Sequence, residues 1–362
     1  DSMVVHWLTR DSMPGYLRVT SRAGSIEHKT STARGHRVGF KRPQGASVAL
    51  VFGAASDPAH RDSTTVWLQP TPRQPIASGA DSIFILGDTH GEYDRVVTML
   101  RENGLIDQHG RWRGGRKHLV FDGDLVDRGA DVTRLLWFVY GLEREAQAAG
   151  GRVHVVLGNH ETMVWMGDLR YVHANEQAIA QAYGVNYSKL FDIRESVLGK
   201  WLVNKPGILR LNNILFAHGG VAPSYLAYNT RMFDDTLAKF INEELFYHWN
   251  DTTFAIKIDS AAYARRQDLF LSPNSVFWHR SYVQTDTMVA ALDQVLRRFD
   301  AKLHVVGHTP TTMVHQKYGG KLVVSHPRLP GTEMVLLVRE GNDYKRFRIE
   351  SKAALTPLPG KD

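Results

Sequence analysis

The spacing of apolar residues changes character near residue 82. Before it, residues 1–80 read as short strands between turn residues, for example Ser47–Phe52 and Thr64–Leu68. The Pro-rich stretch from Gln69 to Pro75, followed by Ala77-Ser78-Gly79, reads as a linker. After it, Ser82–Leu86 is a short apolar run with β-branched residues. A helical stripe follows at Tyr93, Val96, Val97 and Leu100, and Asn103-Gly104 stops it. The cycle repeats with a strand at His118–Phe121 and a helix carrying Val132, Leu135, Leu136, Val139 and Leu142. Strand Val153–Leu157 opens a third round. Units of this length imply right-handed βαβ crossovers and an α/β or α+β domain with partly parallel sheet. Later strands are expected at Asn213–Ala217, His304–Val306, Lys321–Val324 and Met334–Val338. Residues 222–276 lean helical and read as an inserted cap without recognisable chemistry. The expected organisation is a β-rich region over 1–79 and a larger domain over 80–362.

Composition narrows the chemistry. The 362 residues are 43% hydrophobic and 22% charged, proportions that bury a sizeable core. No uncharged apolar run approaches the roughly 18 residues of a membrane-spanning helix, so no membrane span is expected. There is no cysteine, which excludes disulfides, thiolate metal sites and thiol nucleophiles. A transition metal would therefore be held by His, Asp, Asn or Glu. The formal charge is +7, and residues 1–80 hold 10 of the basic and 5 of the acidic side chains. Those basic residues are scattered among Gly, Ser and Thr, so no nucleic-acid partner is expected. A cysteine-free chain starting at Asp1 is compatible with bacterial export, and a periplasmic location is expected ahead of a cytoplasmic one.

The strands of the larger part end in Gly-bearing loops with polar tips. These are Gly87-Asp88-Thr89-His90-Gly91, Gly123-Asp124-Leu125-Val126-Asp127-Arg128-Gly129, Gly158-Asn159-His160-Glu161, Ala217-His218-Gly219-Gly220 and Gly307-His308-Thr309-Pro310. Open α/β sheets bind ligands at the carboxyl ends of their strands, so five such loops can converge on one crevice. Asp88, His90, Asp124, Asn159, His218 and His308 offer only nitrogen and oxygen donors, which suits Mn, Fe or Zn. Two ions about 3.5–4 Å apart can deprotonate a shared water and clamp a phosphoryl group. Each loop alone is a weak signal, and lone histidines such as His154, His304 and His315 read as structural. Together the five loops point to metal-dependent hydrolysis.

The series GDTHG, GDLVDRG, GNHE, HGG and GHT resembles the metallophosphoesterase superfamily, and VDRG with GNHE resembles its phosphoprotein phosphatase branch. LLWFVYGLE, AAGGRVHVVLGNHE and GDLRYVH are most similar to the Shewanella-like protein phosphatases, which include cold-active bacterial tyrosine phosphatases. The resemblance covers about Ser82 to Val338. It implies a calcineurin-like β-sandwich of two mixed sheets flanked by helices, and a phosphorylated protein or peptide as substrate, with phosphotyrosine favoured. It further implies that Asp88 and His90 hold a first ion, that Asp124 bridges, and that Asn159, His218 and His308 hold the second. Arg128 and Arg280 would clamp phosphate oxygens, and His160 would protonate the leaving oxygen while Asp127 orients its ring. A metal-bridging hydroxide would attack phosphorus directly. Glu161 reads as structural, within its own turn.

This chain departs from that family pattern in three places, and in the first Phe277-Trp278-His279-Arg280 stands where eukaryotic relatives carry Leu-Trp-Ser-Asp-Pro. Val324-Ser325-His326-Pro327 stands where eukaryotic relatives carry Ser-Ala-Pro-Asn-Tyr, and Gly307-His308-Thr309-Pro310 lacks the second His of a Gly-His-x-His form. The first ion is thus expected to have one imidazole fewer. Two rival readings stand beside the phosphatase: a nucleotide phosphohydrolase of the diadenosine tetraphosphatase type, and a catalytically inactive binding module.

Overall fold

The structure, a computed structural model, describes residues 2–69, 71–242, 260–328, 331, 333–350 and 354–360. The chain divides into two compact units, Asp1–Pro72 with His173–Trp201, and Arg73–Val172 with Leu202–Asp362. The division after Pro72 falls within the linker expected from sequence, a few residues before the boundary expected at 79. The segment His173–Trp201, which the sequence pattern left within the larger domain, groups with the N-terminal residues.

The first unit is built on an antiparallel sheet in the order Gly24–Lys41, Ser2–Ser21, Ser47–Ala54, Asp62–Trp67. Its two longest strands run for 20 and 18 residues, where the sequence pattern gave only short ones. Register shifts between Leu8 and Met13 and between Pro14 and Tyr16 explain the difference. The chain-breaking residues are absorbed as irregularities within a continuous hairpin, and Pro14 sits at one of them, where its missing N–H costs least. Trp7, Leu17 and Val48 are buried in this unit. The helix Ala174–Ala182 belongs here too: the Tyr183 ring lies 5.1 Å from that of His6, and Gly35 backs onto the Ala182 carbonyl.

The second unit holds two six-stranded mixed sheets among the described residues. One runs His315–Lys317, Leu322–Val324, Leu303–Val306, Ile214–Phe216, Leu209–Leu211, Ile76–Ala77. The other runs Leu355–Pro357, Asp343–Ile349, Met334–Glu340, Ser82–Leu86, His118–Asp122, Arg152–Val156. Ile76–Ala77, read from sequence as linker, pairs parallel with Leu209–Leu211. Ile83, Ile85, Val120 and Val156 from one sheet meet Leu209, Ile214, Phe216, Val305 and Val323 from the other in a single apolar core. The central strands bury both faces, which is why they read as continuous apolar runs rather than as alternating ones. The helix Tyr93–Glu102 buries Val96, Val97 and Leu100 of its expected stripe but leaves Tyr93 half-buried, and Val132–Ala148 buries all of Val132, Leu135, Leu136, Val139 and Leu142.

The expected cap contains helices Thr230–Phe240 and Ser260–Leu271; residues 243–259 lie outside the described residues. What the sandwich contributes to function is the alignment of its strand ends. Asp88, Asp124 and Asn159 follow strands of one sheet, and His218, His308 and His326 follow strands of the other.

Candidate metal centre

Strand geometry sets the loops, and the loops then lock one another. Thr89 and His90 both donate their backbone N–H to the Asp124 carbonyl, at 3.1 and 2.8 Å, and Gly129 N–H returns a bond to the His90 carbonyl at 2.9 Å. His90, Asp124, Asp127, Arg128 and His308 all have positive φ, between 43° and 67°. Side chains avoid that region unless the surroundings over-determine it, so strain is concentrated in the loops that carry the site's polar residues, four of these five being buried. Gly123 has φ +89°, and a Cβ there would sit 2.5 Å from the His218 ring. A larger residue would push the second loop away from that histidine.

Glu161 does more than cap its own helix. Its carboxylate accepts N–H bonds from Gly158 at 2.7 Å, Leu125 at 2.8 Å, Asp124 at 3.1 Å and Val126 at 3.3 Å. It therefore ties the Asn159–Trp165 helix to the Asp124 turn. Burial and the Asp124 charge push its carboxyl up to about 7, against the pull of the Gly158 and Leu125 N–H groups and of His218. Sequence alone marked Glu161 as local; its reach across 37 residues became visible only when the strands were side by side.

The buried side chains gather around Asp124. Its Oδ2 lies 3.1 Å from His218 Nε2, 3.7 Å from His90 Nε2 and 3.9 Å from His160 Nε2. Two groups of potential ligand atoms result, His90, Asp124 and His160 on one side and Asp124, His218 and His308 on the other, each within 4.8 Å of one another. Asp88 Oδ2 is 3.8 Å from His90 Nε2, and Asp88 Oδ1 accepts the His308 backbone N–H at 3.0 Å. Asn159 Oδ1 lies 3.1 Å from His218 Nε2. All six residues expected as ligands from the sequence are thus buried in one place.

Hydrogen bonds fix which nitrogen of each ring faces the cluster. His90 donates Nδ1–H to the Val126 carbonyl at 2.8 Å, and His218 donates Nδ1–H to the Asp122 carbonyl at 2.7 Å. His90 Nε2 is left with its lone pair directed at the Asp88 and Asp124 carboxylates, an arrangement that a cation resolves. His90 Nε2 and His308 Nε2 are buried without a hydrogen-bond partner. Burial lowers the His90 pKa to about 4 and that of His308 to about 3, so both rings are neutral and available as ligands. Burial alone would raise Asp88 and Asp124, but the neighbouring imidazoles hold both carboxyls well below the usual range. Burial likewise opposes charge on His218, but Asp124 and Asp88 outweigh it and raise its pKa to about 10. Two buried carboxylates here call for positive charge, and the donor set fits a pair of transition ions.

Beside this cluster, His160 donates Nδ1–H to Asp127 Oδ2 at 2.7 Å, and its Nε2 is 3.2 Å from the Arg128 guanidinium. Asp127 thus engages His160 rather than simply pairing with Arg128. Burial works against protonation of His160, yet Asp124 and Asp127 leave its pKa raised. Arg128 is exposed, and Arg280 is half-buried, donating to the His308 carbonyl at 3.2 Å. The Tyr171 ring, 44% exposed, lies 5.3 Å from the His160 ring and 5.8 Å from the Arg128 guanidinium. His304, by contrast, is a satisfied core residue, donating to the Leu215 carbonyl and accepting from Val221 N–H. The sequence signal missed one residue, His326, whose Nδ1 is 2.7 Å from Asp88 Oδ2.

A sandwich that sets six metal-competent loops at its strand ends defines a class, the calcineurin-like phosphoesterases, and the model of that family matches residues 82–311. The chain belongs to this family. It is 29% identical over 266 residues to Shewanella-like protein phosphatase 1 of Plasmodium berghei (strain Anka), covering 73% of this chain and 70% of that protein. It is 40% identical over 92 residues to Shewanella-like protein phosphatase 2 of Arabidopsis thaliana, a match spanning 25% of this chain and 24% of that one. The crystal structure of a cold-active protein-tyrosine phosphatase from a psychrophilic Shewanella species superposes with a TM-score of 0.69 at 27% identity, over 87% of this chain and 97% of that one.

Proposed function

We propose that this chain is a two-metal phosphomonoesterase of phosphorylated proteins, with phosphotyrosine its preferred ester. The observation that carries the reading is Asp124, set between two groups of buried imidazoles whose facing nitrogens include two without partners. Asp88, His90 and Asp124 would hold one ion, and Asp124, Asn159, His218 and His308 the other. Bound there, such ions supply a water-derived nucleophile at neutral pH and neutralise phosphoryl charge.

The remaining groups of this chain do the rest. Arg128 and Arg280 present guanidinium forks to the phosphate oxygens. With Asp127 holding Nδ1–H, His160 turns Nε2 toward the substrate side. As the ester binds, Arg128 moves its bonds from His160 to the phosphate, and His160 Nε2 carries the proton delivered to the leaving oxygen. Asp127 keeps that imidazolium oriented and charged. The exposed Tyr171 ring beside His160 and Arg128 offers an aryl leaving group a face to pack on, which supports phosphotyrosine. The Shewanella structure that the chain resembles is that of a protein-tyrosine phosphatase, which favours the same ester.

The test is a side-by-side rate comparison of the metal-loaded protein on a phosphotyrosyl peptide, a phosphoseryl peptide and diadenosine tetraphosphate, with His160→Ala as control. The expected order has the phosphotyrosyl peptide fastest, with a loss of about 10²–10⁴-fold in the variant. Faster cleavage of the dinucleotide would favour the nucleotide hydrolase instead. No turnover of any ester after metal loading would leave a binding module.

A further inference from the structure

His326 stands on the loop after Leu322–Val324, the third strand end that its sheet contributes to the centre. Its side chain is buried. Nδ1 lies 2.7 Å from Asp88 Oδ2, a close contact between a buried imidazole and a buried carboxylate, and makes no well-formed hydrogen bond. Two atoms bound to one ion at about 2.1 Å sit roughly 3–3.5 Å apart. The separations of Asp88 Oδ2 from His326 Nδ1, 2.7 Å, and from His90 Nε2, 3.8 Å, bracket that spacing.

The backbone around His326 is built to hold it there. Its carbonyl accepts both the N–H and the Oγ1–H of Thr311, each at 3.1 Å, and Arg328 N–H returns to the Thr311 carbonyl at 2.7 Å. A Cβ on Gly87 would meet the Ser325 carbonyl oxygen at 2.4 Å and His326 Cα at 3.0 Å, so glycine is what lets the two loops close on each other.

We infer that His326 is a further metal ligand, its Nδ1 joining Asp88 Oδ2 and His90 Nε2 at the ion on that side of Asp124. The inference rests on the two-ion reading above. It gives this ion two imidazoles, so the place left by the missing second His of the Gly307-His308-Thr309-Pro310 loop is taken from a different strand. The donor set of imidazole nitrogen and carboxylate oxygen selects Mn, Fe or Zn over Mg or Ca.

The experiment has two arms. Histidine-¹⁵N-labelled wild-type protein is followed by long-range ¹H–¹⁵N correlation before and after loading with zinc. The expected result is a His326 ring whose Nδ1 is unprotonated and shifted on loading, with the proton on Nε2. A proton retained on Nδ1 in the zinc-loaded protein would overturn the assignment, because His326 would then only donate to Asp88. In the second arm, His326→Asn is titrated with zinc calorimetrically. One of the two ions is expected to bind at least ~10-fold more weakly while the other is unchanged. Two ions bound with wild-type affinities by the variant would remove His326 alone, whereas a wild-type chain that takes up no zinc would bring down the two-ion reading with it.

Discussion

The two units hold their sheets together by different means. In the first, a long hairpin carries the structure, many of its positions are exposed, and irregularities within the strands are tolerated. In the second, short strands are buried on both faces against a shared core, and the polar residues are confined to the strand ends. A hairpin that carries no residue of the proposed site can bend without displacing one. A sandwich whose loops carry five strained, non-glycine residues cannot. Every residue of the proposed site therefore stands on the second unit, most of them at strand ends fixed by a two-sided core.

Substitutions that break this contrast should have graded effects. The largest is expected for Asp124→Ala, which removes the carboxylate shared by both groups of ligands. Loss of about 4 kcal/mol or more of transition-state stabilisation corresponds to a fall in kcat of at least ~10³-fold on para-nitrophenyl phosphate. A far-ultraviolet circular dichroism spectrum like that of the wild type would show the sandwich intact.

Asp127→Asn should cost less and change the pH profile. The Asp127 carboxylate helps to raise the His160 pKa, and in the proposed mechanism His160 acts as the protonated acid. Activity therefore falls as pH rises through that raised pKa, and removing Asp127 should move this alkaline limb of kcat toward acid. An unmoved limb in the variant would separate the titrating group from His160.

Glu161→Gln should act on stability first. An amide can accept fewer of the four N–H bonds that the carboxylate receives, which should cost about 2 kcal/mol in chemical unfolding. Because those donors belong to the Asp124 turn, ion affinity should weaken alongside.

The smallest effect on chemistry is expected for Leu17→Ala in the first unit. Its buried side chain should cost roughly 3 kcal/mol locally, while kcat on para-nitrophenyl phosphate stays at the wild-type value. A marked fall in kcat at unchanged ion content would show that the first unit shapes the chemistry after all.

Much of the second unit was legible because its strands obey one rule: an apolar run followed by glycine and a polar tip. Asp88, Asp124, Asn159, His218 and His308 all announce themselves in this way. His326 follows a strand expected from sequence, but no glycine flanks it, and Ser325-His326-Pro327 reads as an ordinary turn. Its closeness to Asp88 depends instead on Gly87, more than two hundred residues away. Glu161 was legible as a cap but not as the tie to the Asp124 turn, since those bonds cross between parallel strands. The first unit was the least legible part. Glycine and proline punctuate its strands without ending them, and its helical partner Ala174–Ala182 arrives from a distant part of the chain.

The most direct test of the central claim is electron paramagnetic resonance of the protein loaded with Mn²⁺. Two ions sharing Asp124 should give the spectrum of a magnetically interacting pair at two ions per chain, and Asp124→Ala should abolish that interaction. A wild-type spectrum of isolated Mn²⁺ only, at any loading, would contradict the account.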